Sequence, residues 1–72
     1  MKGRFDRSWE GKSVHIEWAD EADWNRFQVL RVWPNRRVMR IVGEPQYGVK
    51  HNQDEFAVLF EDINSMVEVK MP

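Results

Sequence analysis

A chain of 72 residues without a single cysteine has to hold its fold together with apolar side chains alone. A domain this short buries only about 60% of its unfolded surface, so its core is marginal and depends on large side chains. The sequence supplies four Trp, four Phe and one Tyr, and each such ring can bury about 150–250 Å². We therefore expect a single globular domain over residues 1–72, held by aromatic packing rather than by disulfides or a cysteine-based zinc site.

The distribution of apolar residues argues against a membrane protein. The longest apolar run, residues 56–60, is far shorter than the roughly 20 residues that a membrane-spanning helix needs. The first residues lack the apolar stretch of a signal peptide. A net charge of −1 together with abundant aromatic residues is also unlike a disordered chain. The expectation is a small cytoplasmic domain with no membrane partner.

Charge is segregated along the chain although it nearly cancels. Residues 24–43 contain five arginines and no acid, whereas residues 13–23 contain four acids and no Lys or Arg. Arginine presents a planar fork that fits phosphate or carboxylate and stacks on flat rings. This pattern predicts a surface for an anionic partner. The alternative is that the arginines pair with the acidic segments within the fold.

The middle of the chain has the pattern of a β-hairpin. Residues 27–33 and 38–42 are rich in valine and aromatic residues, which favour strands. Between them, Pro34 suits the second position of a type I turn and Asn35 suits the third. We predict two antiparallel strands joined by a loop over residues 34–37.

The loop length fixes the register of this hairpin. It places Arg31 opposite Arg40, which is unfavourable unless the side chains spread into water, acids lie between them, or the site binds an anion. A shift of one residue would undo this pairing. The other expected pairs are Trp33 with Val38, Val32 with Met39 and Leu30 with Ile41, the last two pairs forming the core face.

A first hairpin is predicted before this one. Residues 4–9 and 14–18 both alternate between apolar and polar side chains, with a turn at residues 10–12. Residues 19–25 are read as a connection or one helical turn with Asp20 as N-cap. Residues 43–53 contain Gly43, Pro45 and Gly48 and are predicted to form a loop.

The C-terminal third is read as a helix. Asn52 and Glu55 resemble a capping box, and weak helix formers near residue 64 end the segment. We predict a helix over about 53–63 and a strand over 66–70, with strands over 55–60 and 66–70 as the alternative. The fold class is then α+β, an antiparallel sheet of four to five strands with one C-terminal helix, and an all-β half-barrel is the alternative. The apolar residues whose spacing predicts this helix are Phe56, Leu59, Phe60, Ile63, Met66 and Val67.

Catalytic and metal-binding patterns are not found in the sequence. The glycines lie too far apart for a phosphate-binding loop, and no cysteine nucleophile exists. His15 and His51 form a site only if the fold brings them together. We predict no enzyme activity, no cofactor, no metal and no small-molecule substrate.

The candidate contact residues lie in the arginine-rich hairpin, residues 26–40. Trp33 next to arginines is a plausible binding residue or a stacking platform for a base, unless it folds back onto the sheet. The sequence predicts a regulatory binding module for an anionic partner, with nucleic acid favoured. The alternative is a small inhibitor or adaptor, as phages and mobile elements encode, that occludes a host protein. Oligomeric state stays open. The predicted site residues are Arg26, Arg31, Trp33, Arg36, Arg37 and Arg40.

Overall fold

The computed structural model describes residues 4–20, 24–43 and 55–70, with only the backbone described for Trp24 and Asn25. One antiparallel sheet of five strands forms the molecule, in the order β4-β3-β2-β1-β5. A 3-10 turn, Arg7–Trp9, precedes the sheet, and a second one, Phe60–Asp62, connects β4 to β5. The strands are β1 Ser13–Trp18, β2 Trp24–Trp33, β3 Val38–Gly43, β4 Glu55–Leu59 and β5 Ile63–Glu68.

The predicted α+β class is wrong, because the described ranges contain no α-helix and the molecule is mostly β. Residues 55–59, placed in the predicted helix over 53–63, form strand β4 instead. The helix-like spacing arises because the turn Phe60–Asp62 interrupts the alternation of two strands. Phe60, the first residue of this turn, and Ile63, the first residue after it, are both buried, whereas Leu59 is 45% exposed. The all-β alternative has the correct class, although β5 begins at Ile63 rather than at residue 66.

The short connection between β4 and β5 requires the sheet to curl. These strands lie at opposite edges of the sheet, and five flat strands spaced about 4.8 Å apart would separate the edges by roughly 19 Å. The turn Phe60–Asp62 cannot span that distance, since a 3-10 helix rises only about 2 Å per residue. The backbone N–H of Phe60 donates to the Arg37 carbonyl at 2.9 Å, and that of Ala19 donates to the Asp62 carbonyl at 2.9 Å. The turn therefore ties the two edges into a half-barrel.

The inside of this curl is the hydrophobic core. Phe5 and Phe60 close one end of it with an edge-to-face contact of 5.1 Å between ring centroids. Phe5 belongs to residues 4–9, which were predicted to form a strand. They contain the 3-10 turn Arg7–Trp9 instead, and the Asp6 carboxylate caps this turn by accepting from the N–H of Ser8. Strand β1 pairs with β2 and β5, so the predicted first hairpin is also wrong. The buried set is Phe5, Val14, Ile16, Val29, Val32, Met39, Ile41, Val58, Phe60, Ile63 and Met66.

The predicted β2–β3 hairpin is confirmed, with one local difference. Trp33 faces Val38, Val32 faces Met39 and Arg31 faces Arg40. Val29 rather than Leu30 faces Ile41, because a β-bulge at Leu30 inserts one extra residue into β2. As a result Val29 and Val32 are both buried, and Leu30 is only half-buried.

Two predicted connections lie largely outside the described residues. Of residues 19–25, only the backbone of Trp24 and Asn25 and residues 19–20 are described, and Trp24 already begins β2. Of the predicted loop 43–53, only Gly43 is described, as the last residue of β3.

Candidate functional site

Strand β2 extends beyond its partner β1, and this extension creates the site. β1 pairs with residues 24–28 of β2, and Val29 adds hydrogen bonds to Gly11 and Lys12 at 2.8 and 2.9 Å. Among the described residues, no strand pairs with residues 30–33 on the β1 side. The turn Arg7–Trp9 lies against β2 instead, so this half of β2 leaves backbone groups for side chains to bind.

Glu10 binds the first of these groups. Its Oε2 accepts from the backbone N–H of Val32 at 2.9 Å and from Nε of Arg7 at 3.3 Å. The hydrogen bond from Val32 is the main reason that the pKa of Glu10 lies below its ordinary value, and Arg7 and the charge of Arg31 lower it further. Glu10 is therefore ionised at neutral pH and holds Arg7 beside the end of the hairpin.

A cavity of about 320 Å³ lies at this end of the hairpin. Three arginines line it, and none of the described lining residues is acidic. The guanidinium carbon of Arg31 lies 5.5 Å from the centroid of the Trp33 ring, a cation–π distance. The cavity thus combines positive charge with a flat aromatic surface. Its lining residues are Arg7, Arg31, Val32, Trp33, Pro34, Asn35 and Arg36.

The hairpin loop places its two adjacent arginines, Arg36 and Arg37, in different surroundings. The N–H of Arg36 donates to the Trp33 carbonyl at 3.1 Å, and that of Arg37 donates to the Pro34 carbonyl at 3.2 Å, as expected for consecutive turns. Arg37 has φ +56°, the left-handed conformation that ends the loop. Arg36 lines the cavity, whereas Arg37 is exposed and is not among the described lining residues.

The remaining two predicted arginines lie on the outer face of the sheet, away from the core. Nε of Arg40 pairs with Glu55 Oε1 of β4 at 3.1 Å, with both side chains about half exposed. An acid from a neighbouring strand thus balances Arg40, while Arg31 turns towards Trp33, and this arrangement relieves the repulsion expected between the opposed arginines. Arg26 is half-buried opposite His15 in the register.

The structure therefore brings together half of the predicted site. Arg31, Trp33 and Arg36 meet at the cavity, whereas Arg26, Arg37 and Arg40 do not line it within the described residues. Arg7 and Glu10 were not among the site residues predicted from the sequence. The Asp6–Ser8 cap was a signal for the turn that carries Arg7, but no local pattern shows that Glu10 reaches Val32, which is 22 residues away.

The described residues contain no group of three His, Cys, Asp or Glu side chains arranged to hold a metal ion. His15 lies on the outer face of β1, and His51 falls outside the described residues. In the part of the chain that the structure describes, no helix is long and apolar enough to cross a membrane.

Compared with protein-family models, with curated proteins and with solved structures, the chain matches none of them.

Proposed function

We propose that this domain is a non-catalytic, regulatory binding module that holds nucleic acid at the end of the β2–β3 hairpin. The observation that carries this proposal is the cavity with three arginines, one tryptophan and no acid among its described lining residues. Guanidinium groups bind phosphate through paired, charge-assisted hydrogen bonds. Contacts to the phosphate backbone supply most of the affinity of proteins for nucleic acid.

Each arginine reaches the cavity from a different part of the fold. Arg31 projects from β2 next to the bulge, Arg36 from the hairpin loop, and Arg7 from the 3-10 turn that Glu10 fixes to β2. Because all three elements are tied to the sheet, the backbone that carries these arginines loses little conformational entropy when a ligand binds. The geometry supports a preformed site for an anionic group.

Trp33 favours nucleic acid over other anionic partners. A carboxylate or an isolated phosphate needs only the guanidinium groups, whereas a nucleic-acid base also stacks on an aromatic ring. An acidic protein surface would use the same charges, and the alternative function, an inhibitor or adaptor of a host protein, depends on such a surface. The indole in the cavity wall gives a base a surface to stack on, and this is the feature that supports nucleic acid.

The two adjacent loop arginines provide a matched test of this proposal. Binding of fluorescently labelled single-stranded RNA and DNA oligonucleotides is measured by anisotropy at low salt for the wild type, Arg36→Gln and Arg37→Gln. Both substitutions remove one positive charge from the same exposed loop, but only Arg36 lines the cavity. We expect Arg36→Gln to weaken binding by about tenfold, as the loss of one charged hydrogen bond does, and Arg37→Gln by less than about twofold.

Absent binding to both nucleic acids would overturn the proposal, and so would equal losses in the two variants. A polyglutamate peptide of equal charge serves as the competing partner. Tighter binding of the peptide would assign the cavity to an acidic protein surface and support the inhibitor or adaptor function instead.

A further inference from the structure

The size of the cavity restricts how much of a nucleic acid can enter it. Its volume of about 320 Å³ is at the lower end of the range for small-molecule pockets, roughly 300–1,000 Å³. Such a space has room for one planar base beside Trp33. A base in a duplex also has both faces covered by its neighbours, so it cannot stack on a side chain without leaving the helix.

We infer that the site selects single-stranded nucleic acid by taking one unstacked base into the cavity against Trp33. The inference rests on the proposed function and adds to it the strandedness of the ligand and the residue that reads it. Trp33 is half-buried and its strand neighbour Val38 is fixed by the hairpin register, so the ring has a defined place in the cavity wall.

The contact between Arg31 and Trp33 supports a stacked arrangement. The guanidinium carbon of Arg31 lies over the indole, 5.5 Å from the ring centroid, at a cation–π distance. A base that stacks on the same ring therefore has a positive charge close to it. Since every base has a π face, the site is tolerant of base identity.

The other two arginines are placed to hold the phosphates that flank this base. Arg7 and Arg36 enter the cavity from different elements, the first 3-10 turn and the hairpin loop. Glu10 engages Arg7 through Nε, and a guanidinium has four further N–H donors for a ligand. A strand that inserts one base therefore meets positive charge within the same cavity.

The test compares three labelled probes with equal numbers of phosphates on one strand: a 12-nucleotide oligothymidine, an abasic oligomer of the same length, and a 12-base-pair duplex. Anisotropy is measured with the wild type, Trp33→Leu and Trp33→Phe, and far-UV circular dichroism verifies folding. We expect the oligothymidine to bind about tenfold more tightly than the abasic oligomer or the duplex, as the stacking of one base provides. Trp33→Leu removes this preference, and Trp33→Phe retains most of it.

The outcomes separate this inference from the proposed function. If the abasic oligomer or the duplex binds the wild type as tightly as oligothymidine, the site reads phosphate alone and the inference is wrong while the proposed function stands. If none of the probes binds, the proposed function fails as well. Should Trp33→Leu not fold, the abasic probe on the wild type decides the question without it.

Discussion

Glu10 limits how much of the positive charge of the cavity a ligand can use. The carboxylate contacts Arg7 and the backbone of Val32 from beside the cavity. Substitution by glutamine keeps an oxygen that can accept from Val32 but removes the negative charge. We expect Glu10→Gln to raise the affinity for a single-stranded oligonucleotide by about three- to fivefold, which corresponds to the loss of one screened like-charge contact with phosphate.

The measurement is the same anisotropy titration, with Glu68→Gln as the control. Glu68 also forms an ion pair with a basic residue, Lys12, at 3.6 Å. It belongs to the edge strand β5, however, and is not among the described lining residues of the cavity. An unchanged or lower affinity of Glu10→Gln would show that the carboxylate helps to present Arg7 rather than competing with the ligand.

Gly11 is favoured by its backbone conformation and not by a lack of room for a side chain. Its φ is +86°, and no atom of the other described residues, its two chain neighbours aside, lies within 4 Å of where a Cβ would be. An alanine therefore fits sterically but is strained, because the left-handed region costs an L-residue about 1–2 kcal/mol. We expect Gly11→Ala to lower the free energy of unfolding by that amount in urea titrations. Gly11→Asn should cost less, since asparagine tolerates this conformation, and equal losses would contradict the explanation.

At the scale of elements, the turn Phe60–Asp62 adds one buried side chain to the two backbone hydrogen bonds that tie the edges of the sheet. Phe60 is buried, whereas its neighbour Leu59 is 45% exposed. We expect Phe60→Ala to lower the free energy of unfolding by about 3–5 kcal/mol, and Leu59→Ala by less than about 1 kcal/mol. Chemical denaturation of the two variants checks this, and similar losses would mean that the turn does not anchor the edges.

The same elements show what could be predicted from the sequence. The register of the β2–β3 hairpin next to its loop was predictable, because Pro34 and Asn35 specify a turn whose length sets the three nearest pairs. Neither the bulge at Leu30 nor the turn that begins at Phe60 is indicated by a comparable local sequence signal. Each inserts residues that shift the alternation of a strand, so Leu30 was expected in the core and residues 53–63 in a helix. These shifts are set by packing against distant strands.

For the whole molecule, the number of converging arginines predicts how binding depends on salt. Three arginines line the cavity, and each phosphate contact to a single strand contributes about −0.7 to the slope of log affinity against log salt. We expect a slope of about −2 for the wild type between 50 and 300 mM salt, and a slope shallower by about 0.7 for Arg36→Gln. A slope near zero would show that these guanidinium groups do not contact phosphate.

The composition of the site is also a property of the whole molecule. The sequence could predict Arg31, Trp33 and Arg36, because they belong to one hairpin whose register follows from its loop. It could not predict Arg7, because that residue joins the cavity only after Glu10 bonds to a strand 22 residues further along the chain. The sequence-based prediction also included Arg37 and Arg40 in the site. The sequence could not separate them from Arg36, because the separation depends on where each side chain lies after folding.

The pairing of β1 with β5 brings Val14 opposite Glu68, near opposite ends of the described chain. Joining such distant residues costs loop-closure entropy before any contact compensates for it. The β2–β3 hairpin, by contrast, closes across one short loop. Refolding is thus expected to begin at the hairpin and to wait for β5, in the millisecond-to-second range typical of barrels dominated by non-local pairing. The end of the hairpin that carries Arg31, Trp33 and Arg36 would then take its shape before β5 completes the sheet.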